Sequence, residues 1–217
     1  MKYVLKTVKE LIILSGMYFF INVLLAVGIP LLVGYMIEDN PIVNSLGAVM
    51  LIMSVVYIAF FFFGKTDMIE YKSKLMIYAL LTPARRIHQV TAKYIIALAS
   101  YLLALLGYLA ARLINSSIPG LTFGDIAYSF LIFSILIGIY FLIYYKFGYE
   151  AVKFLPQVMI LLGTFGSVAV VKIFDSVSLE GLVDFITRMR PYALIAGFVI
   201  CLLTFIASCS LYKNKDL

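Results

Sequence analysis

Charge is what this chain lacks where it is longest. Six stretches, residues 11–37, 42–63, 94–111, 126–145, 154–171 and 192–212, contain no Asp, Glu, Lys or Arg, and only 13% of the 217 residues are charged. One charge at the centre of a transmembrane helix costs about 2.5 to 3.5 kcal/mol on insertion scales, so six uncharged segments answer a lipid's demand. A soluble all-helical core does not explain them. Histidine is almost missing too: His88 is the sole one, which excludes a histidine-rich metal site or a paired-histidine mechanism within one chain. Cysteine stops at Cys201 and Cys209, eight residues and about 12 Å apart along one helix, too far to pair. They read as small packing residues. The acidic residues fall in predicted loops, and no two are expected on one helix face pointing into the bilayer, so acid, base and metal ligands for an embedded enzyme are missing. No catalytic residue and no metal site is expected. The same lack argues against ion-coupled transport, which marks itself with ionisable groups inside the membrane. Asn22, Thr164 and Ser167 are the strongest buried polar candidates. If the chain moves something uphill, the energy comes from a partner.

What is present is greasy length. Each stretch suits roughly 30 Å of hydrocarbon at about 1.5 Å per residue. The economical reading is an all-α membrane protein, 1–217 as one domain with six transmembrane helices. Lys2, Lys6 and Lys9 interleave with Tyr3, Val4, Leu5 and Val8, which predicts a short interfacial helix over 1–10 ahead of a retained signal anchor, a frayed terminus being the alternative. With a cytosolic N-terminus, thirteen Lys and Arg fall inside and four, Arg112, Lys172, Arg188 and Arg190, outside. Both termini are therefore expected in the cytosol. The formal net charge of +6 then follows from topology and anionic lipid, with no ground for nucleic-acid binding.

Residues 59–66, Ala59, Phe60 to Phe63, Gly64, Lys65 and Thr66, formally match a relaxed nucleotide-binding pattern. A phosphate loop needs exposed backbone amides after a strand, whereas four phenylalanines continue an embedded helix. Gly64 is read as the end of the second span and Lys65 as snorkelling to the headgroups.

The longest inner loop is expected over 64–93 and carries six of the basic residues. Asp67 followed by Glu70 suggests the start of a helix, with Asp in place of the usual Ser or Thr cap. Lys72 and Lys74 precede an apolar run through Leu75, Met76, Ile77, Leu80 and Leu81. Pro83 suits the first position of a second helix capped by Thr82, with Ala84, Arg85, Arg86 and His88 leading into the third span. The result is a helix-turn-helix elbow. It reads equally as a solvated basic loop or as a docking knob for a cytosolic protein.

The run Asp67, Glu70, Tyr71, Lys72, then Leu80, Leu81, Thr82, Pro83, Ala84, Arg85, Arg86, and later Lys93 and Tyr94 resembles the membrane subunit of type-2 ABC transporters. An acidic residue there precedes a Leu-x-x-Pro-x-x-Arg-like turn, and a Lys-Tyr-like pair opens the third helix. Many relatives carry a glycine where this chain has Lys72, Ser73 and Lys74. The resemblance implies a permease that dimerises with a second permease subunit, with no ATPase site of its own. ATP and Mg would be held by a separate ABC ATPase. Asp67, Glu70, Tyr71, Lys74, Thr82, Pro83, Ala84, Arg85, Arg86 and His88 would form the coupling helix that docks it. In size the chain also resembles the compact bacterial permeases that export amphipathic peptides, the phenol-soluble modulin exporter among them. The family's second and fifth helices imply that Tyr57, Phe60 and Phe61 wall a cavity and that Gly163, Thr164, Gly166 and Ser167 let helices approach at the path or dimer interface. Such an apolar cavity suits an amphipathic peptide or lipid in a bacterial plasma membrane. The alternative is a non-transporting immunity or sensor partner that binds a peptide and signals through the elbow. Finally, Leu179, Leu182, Val183 and Ile186 recur at helical spacing within 176–190, which predicts an amphipathic helix on the outer face as a lid over the exit.

Overall fold

Uninterrupted apolar sequence in lipid has one outlet for its backbone polar groups, the internal hydrogen bonds of a helix. The computed structural model describes residues 17–36, 47–72, 83–161 and 180–213, and among these every regular element is helical. The long helices are α1, Met17–Met36, α2, Gly47–Lys72, α3, Pro83–Ile114, α4, Phe123–Phe147, and α5, Glu180–Lys213. Two short helical pieces, Tyr149–Val152 and residues 155–161, follow α4.

Among the described residues four helices are long and apolar enough to cross a bilayer, α2, α3, α4 and the part of α5 from Pro191 to Lys213. α1 is apolar over Phe20–Leu32, and the fifth expected span enters the described residues only as the piece 155–161. The interfacial helix expected over 1–10 lies outside them. Three expectations need revision. Gly64 does not end the second span, because α2 runs through it to Lys72. A glycine costs a helix about 1 kcal/mol, far less than exposing backbone to hydrocarbon, and at Gly64 it makes room for Pro156, whose Cβ would lie 3.2 Å from an added methyl. No new helix begins at Asp67 either. The amphipathic segment expected over 176–190 is not a separate helix: from Glu180 it is continuous with the last span, and Pro191 sits inside α5.

Helix ends follow local chemistry. Pro83 opens α3, a position where its missing N–H is not needed. Thr122 and Asp125 form a reciprocal capping box at the start of α4. At its end Gly148 takes φ 90°, a conformation other residues rarely adopt, and its N–H closes on the Tyr144 carbonyl.

α1 packs on α2 and α3, α2 also lies against α3 and α4, and the most extensive interface joins α4 to α5. Small residues permit these approaches. A methyl at Gly107 would stand 2.5 Å from the Ala26 carbonyl oxygen, and one at Gly138 2.6 Å from Thr204. Aromatic side chains fill the centre, with Phe60, Phe63, Tyr94, Tyr140, Phe141, Tyr144 and Tyr145 all buried. α5 instead turns Ile195, Phe198, Leu202, Leu203 and Ile206 outward. That apolar face fits a lipid surrounding.

Candidate functional site

Chain direction alternates, so the last turns of α2 and α4 meet the first turns of α3 and the end of α5 at one end of the bundle. On α2, Asp67 and Glu70 are three residues apart and share a face. Lys93 of α3 reaches between them, its Nζ 2.6 Å from Asp67 Oδ1 and 2.7 Å from Glu70 Oε2. α4 completes the shell: Tyr140 donates its hydroxyl proton to Asp67 Oδ2, and Tyr144 donates to Glu70 Oε2 at 3.2 Å. The Lys93 ammonium also stands 4.0 Å from the centre of the Tyr144 ring, a cation–π contact. The three charged side chains are 4%, 0% and 10% exposed for Lys93, Asp67 and Glu70. Buried charges survive in such surroundings only when paired and hydrogen-bonded, which is the state seen here.

The α3 face that carries Lys93 carries Arg86 two turns earlier. Arg86 is buried, and its Nη1 donates to the carbonyl oxygens of Tyr212 at 3.5 Å and Lys213 at 3.2 Å, the last turn of α5. Tyr212 in turn donates to Gln89 Oε1 at 2.9 Å, and its ring lies 4.9 Å from that of Tyr145. One turn deeper, the Tyr94 and Ser208 hydroxyls are 3.2 Å apart. A polar seam thus joins the inner half of α3 to α5. Tyr145 Oη is buried and has no hydrogen-bond partner among the described residues; the same holds for Asn22 Oδ1, the polar atom expected inside the bundle.

At the rim, Tyr71 stacks on Tyr149 with ring centres 4.9 Å apart. Lys153 donates to Glu150 at 2.7 Å. That hydrogen bond, with one from the Tyr71 hydroxyl, holds the Glu150 carboxyl below its ordinary range and, reciprocally, raises Lys153. Both groups are open to water, so the contact positions the rim rather than anchoring it.

The predicted coupling residues therefore divide. Asp67, Glu70 and Arg86 lie inside the bundle, Tyr71 is exposed at the rim and His88 is half-buried on α3. Pro83, Ala84 and Arg85 form the first turn of α3, while Lys74 and Thr82 fall outside the described residues. Phe60 is buried edge-on against Tyr140, Phe61 meets Tyr18 edge-on, and Tyr57 is half-buried. Gly163, Thr164, Gly166 and Ser167 lie outside the described residues. The expectation that no two acids share a face inside the membrane is overturned by Asp67 and Glu70. Lys93 entered the sequence reading only as half of the Lys-Tyr pair that opens the third helix, and Tyr140, Tyr144, Gln89 and Tyr212 were not singled out at all. The signal that finds them is spacing: 67 and 70, 86 and 93, and 140 and 144 each return to one helical face.

Among the described residues no cluster of His, Cys, Asp and Glu is placed to hold a metal ion. Neither the comparison with curated proteins nor that with solved structures gave a match. The family model described as ABC-2 family transporter protein matches residues 8–212, nearly the whole chain. The family implies an ABC ATPase as partner and a membrane setting for this multi-pass chain. The chain belongs to the ABC-2 transporter family and is a membrane permease component of an ABC transporter.

Proposed function

We propose that this chain is the permease subunit of an ATP-driven exporter in a bacterial plasma membrane, pairing with a second permease subunit to form a path for an amphipathic or hydrophobic substrate, a peptide or a lipid. ATP and Mg are held by the separate ATPase. The coupling element is the connection between α2 and α3, residues 73–82, with the flanking Tyr71, Lys72 and the first turn of α3.

The observation that carries this reading is the Lys93 bridge. A connection can transmit force only if the two helices it joins move together, and Lys93 ties α3 to α2 in the half of the bundle next to that connection, in a buried site held also by two tyrosines of α4. The same end gathers Lys65, Lys72, Arg86, Lys93, Lys146, Lys153 and Lys213, whereas Arg112 ends α3 at the other. Excess Lys and Arg mark the cytosolic side, which supports cytosolic termini and a cytosolic connection. The apolar outer face of α5 supports a lipid-contacting or subunit-contacting role in place of a polar conduit.

The test is co-purification with the ATPase followed by reconstitution. Inside-out vesicles should accumulate a fluorescent amphipathic peptide or a short-chain fluorescent lipid only with ATP and Mg. A maleimide should label Lys72→Cys in those vesicles and not in intact cells. Peptide binding without ATP-dependent uptake would favour the non-transporting sensor, and labelling from outside would reverse the topology and remove the coupling role.

A further inference from the structure

Arg86 occupies the position where the resemblance implies ATPase docking, yet it is 8% exposed and turned into the bundle. Among its contacts is the end of α5. The last carbonyls of a helix have no internal partner and carry roughly half a negative charge, so a guanidinium beside them is both a hydrogen-bond donor and a charge complement. Arg86 meets the carbonyl oxygens of Tyr212 and Lys213, Gln89 accepts from the Tyr212 hydroxyl one turn on, and Tyr94 meets Ser208 beyond that. These contacts sit in register along one face of α3, beginning one turn after Pro83. Elsewhere α5 rests on α4 through close apolar contacts, Gly138 on Thr204 and Gly197 on Phe130. Those contacts hold α5 against α4, and the polar seam adds a directional link from the end of α5 to the first turns of α3.

We propose that Arg86 is a positioning residue that transmits displacement of the α2–α3 connection to the last helix, so that α5 moves with the first turns of α3. The proposal rests on the permease reading above and deepens it. Lys93 keeps α2 and α3 together, and Arg86 with Gln89 passes a movement of the first turns of α3 to the end of α5. The role differs from docking in what its loss does: the ATPase still binds, and its work no longer reaches α5.

The experiment uses the full permease co-purified with its ATPase in liposomes, with Cys201→Ser and Cys209→Ser removing the native thiols and spin labels at Leu113→Cys and Tyr192→Cys. Both side chains are exposed, Leu113 near the outer end of α3 and Tyr192 at the outer start of the membrane part of α5. Electron–electron double resonance compares the distance without nucleotide and with ATP, Mg and vanadate. The unaltered permease should show a nucleotide-dependent shift. Arg86→Gln, and independently Gln89→Leu and Tyr212→Phe in case the first fails to fold, should co-purify normally and lose most of that shift. Permease-stimulated ATP hydrolysis should fall about ten-fold in Arg86→Gln, the factor for losing one charge-assisted hydrogen bond, with partial recovery in Arg86→Lys. An unchanged shift in all three variants would overturn the proposal, as would loss of the ATPase from Arg86→Gln, which assigns the residue to docking. If no ATPase accompanies the unaltered chain, the permease reading itself fails.

Discussion

Replacing Lys93 by Met removes the one cation that both α2 carboxylates share. Asp67 and Glu70 then stay buried without that cation, while Tyr140 and Tyr144 still donate to them. Breaking a buried ion pair by removing one partner costs about 3 to 5 kcal/mol, because the remaining charge is uncompensated. Lys93→Met should therefore lose about 3 to 5 kcal/mol, a large part of the about 5 to 15 kcal/mol that holds a folded protein. Glu70→Gln is the control. It leaves the Asp67–Lys93 pair intact at 2.6 Å and should cost only about 1 kcal/mol, a net hydrogen bond's worth. Replacing Asp67, Glu70 and Lys93 together by Leu, Met and Met should restore most of the loss, since well-packed apolar substitutes for a buried ion pair are often neutral. The assay is unfolding in mixed micelles against SDS mole fraction, at pH 7.5 and pH 5.5. Because protonation becomes easier as pH falls, the deficit of Lys93→Met should shrink at the lower pH. A Lys93→Met deficit no larger than that of Glu70→Gln, or one independent of pH, would refute the idea that the bridge holds charge in a dry site.

Further outcomes follow from single contacts. Gly107→Val should cost about 1 to 3 kcal/mol in the same micelle titration, because its side chain meets the Ala26 backbone, which cannot swing aside. Tyr140→Phe strips one donor from Asp67 and should cost about 1 to 3 kcal/mol, with Tyr144→Phe cheaper because its contact is longer. The Glu150 carboxyl is held below its ordinary value, so its link to Lys153 is present above the usual glutamate range and is lost only as pH falls through that lowered value. Hydrogen exchange at residues 149–153 should thus be unchanged from pH 7 to pH 5 once corrected for intrinsic rates, and faster protection loss within that window would contradict the assignment.

Much of the fold could be read before any coordinates. Uncharged stretches of about 20 residues place α2, α3, α4 and the membrane part of α5, and the Pro83 rule places the start of α3. The error over 64–72 has a physical source. A span is judged to end where charge begins, but that rule prices a lone charge in lipid, whereas Asp67 and Glu70 are compensated by neighbours on α3 and α4 that are far away in sequence, and Thr66 donates to carbonyls of its own helix. The same rule separated 176–190 from the last span, where α5 is continuous from Glu180. Tyr140 and Tyr144 gave no warning, since tyrosine near a membrane boundary is read as an interfacial anchor.

Sequence alone determined that this chain lives in a bilayer as helices, because hydrocarbon leaves unpaired backbone no alternative, and it located the apolar parts of α2, α3, α4 and α5. Only tertiary structure decided that two acids, a lysine and two tyrosines from three helices form one buried knot and that Arg86 grips the end of α5. Helical periodicity shows which residues share a face, and packing alone decides which faces meet.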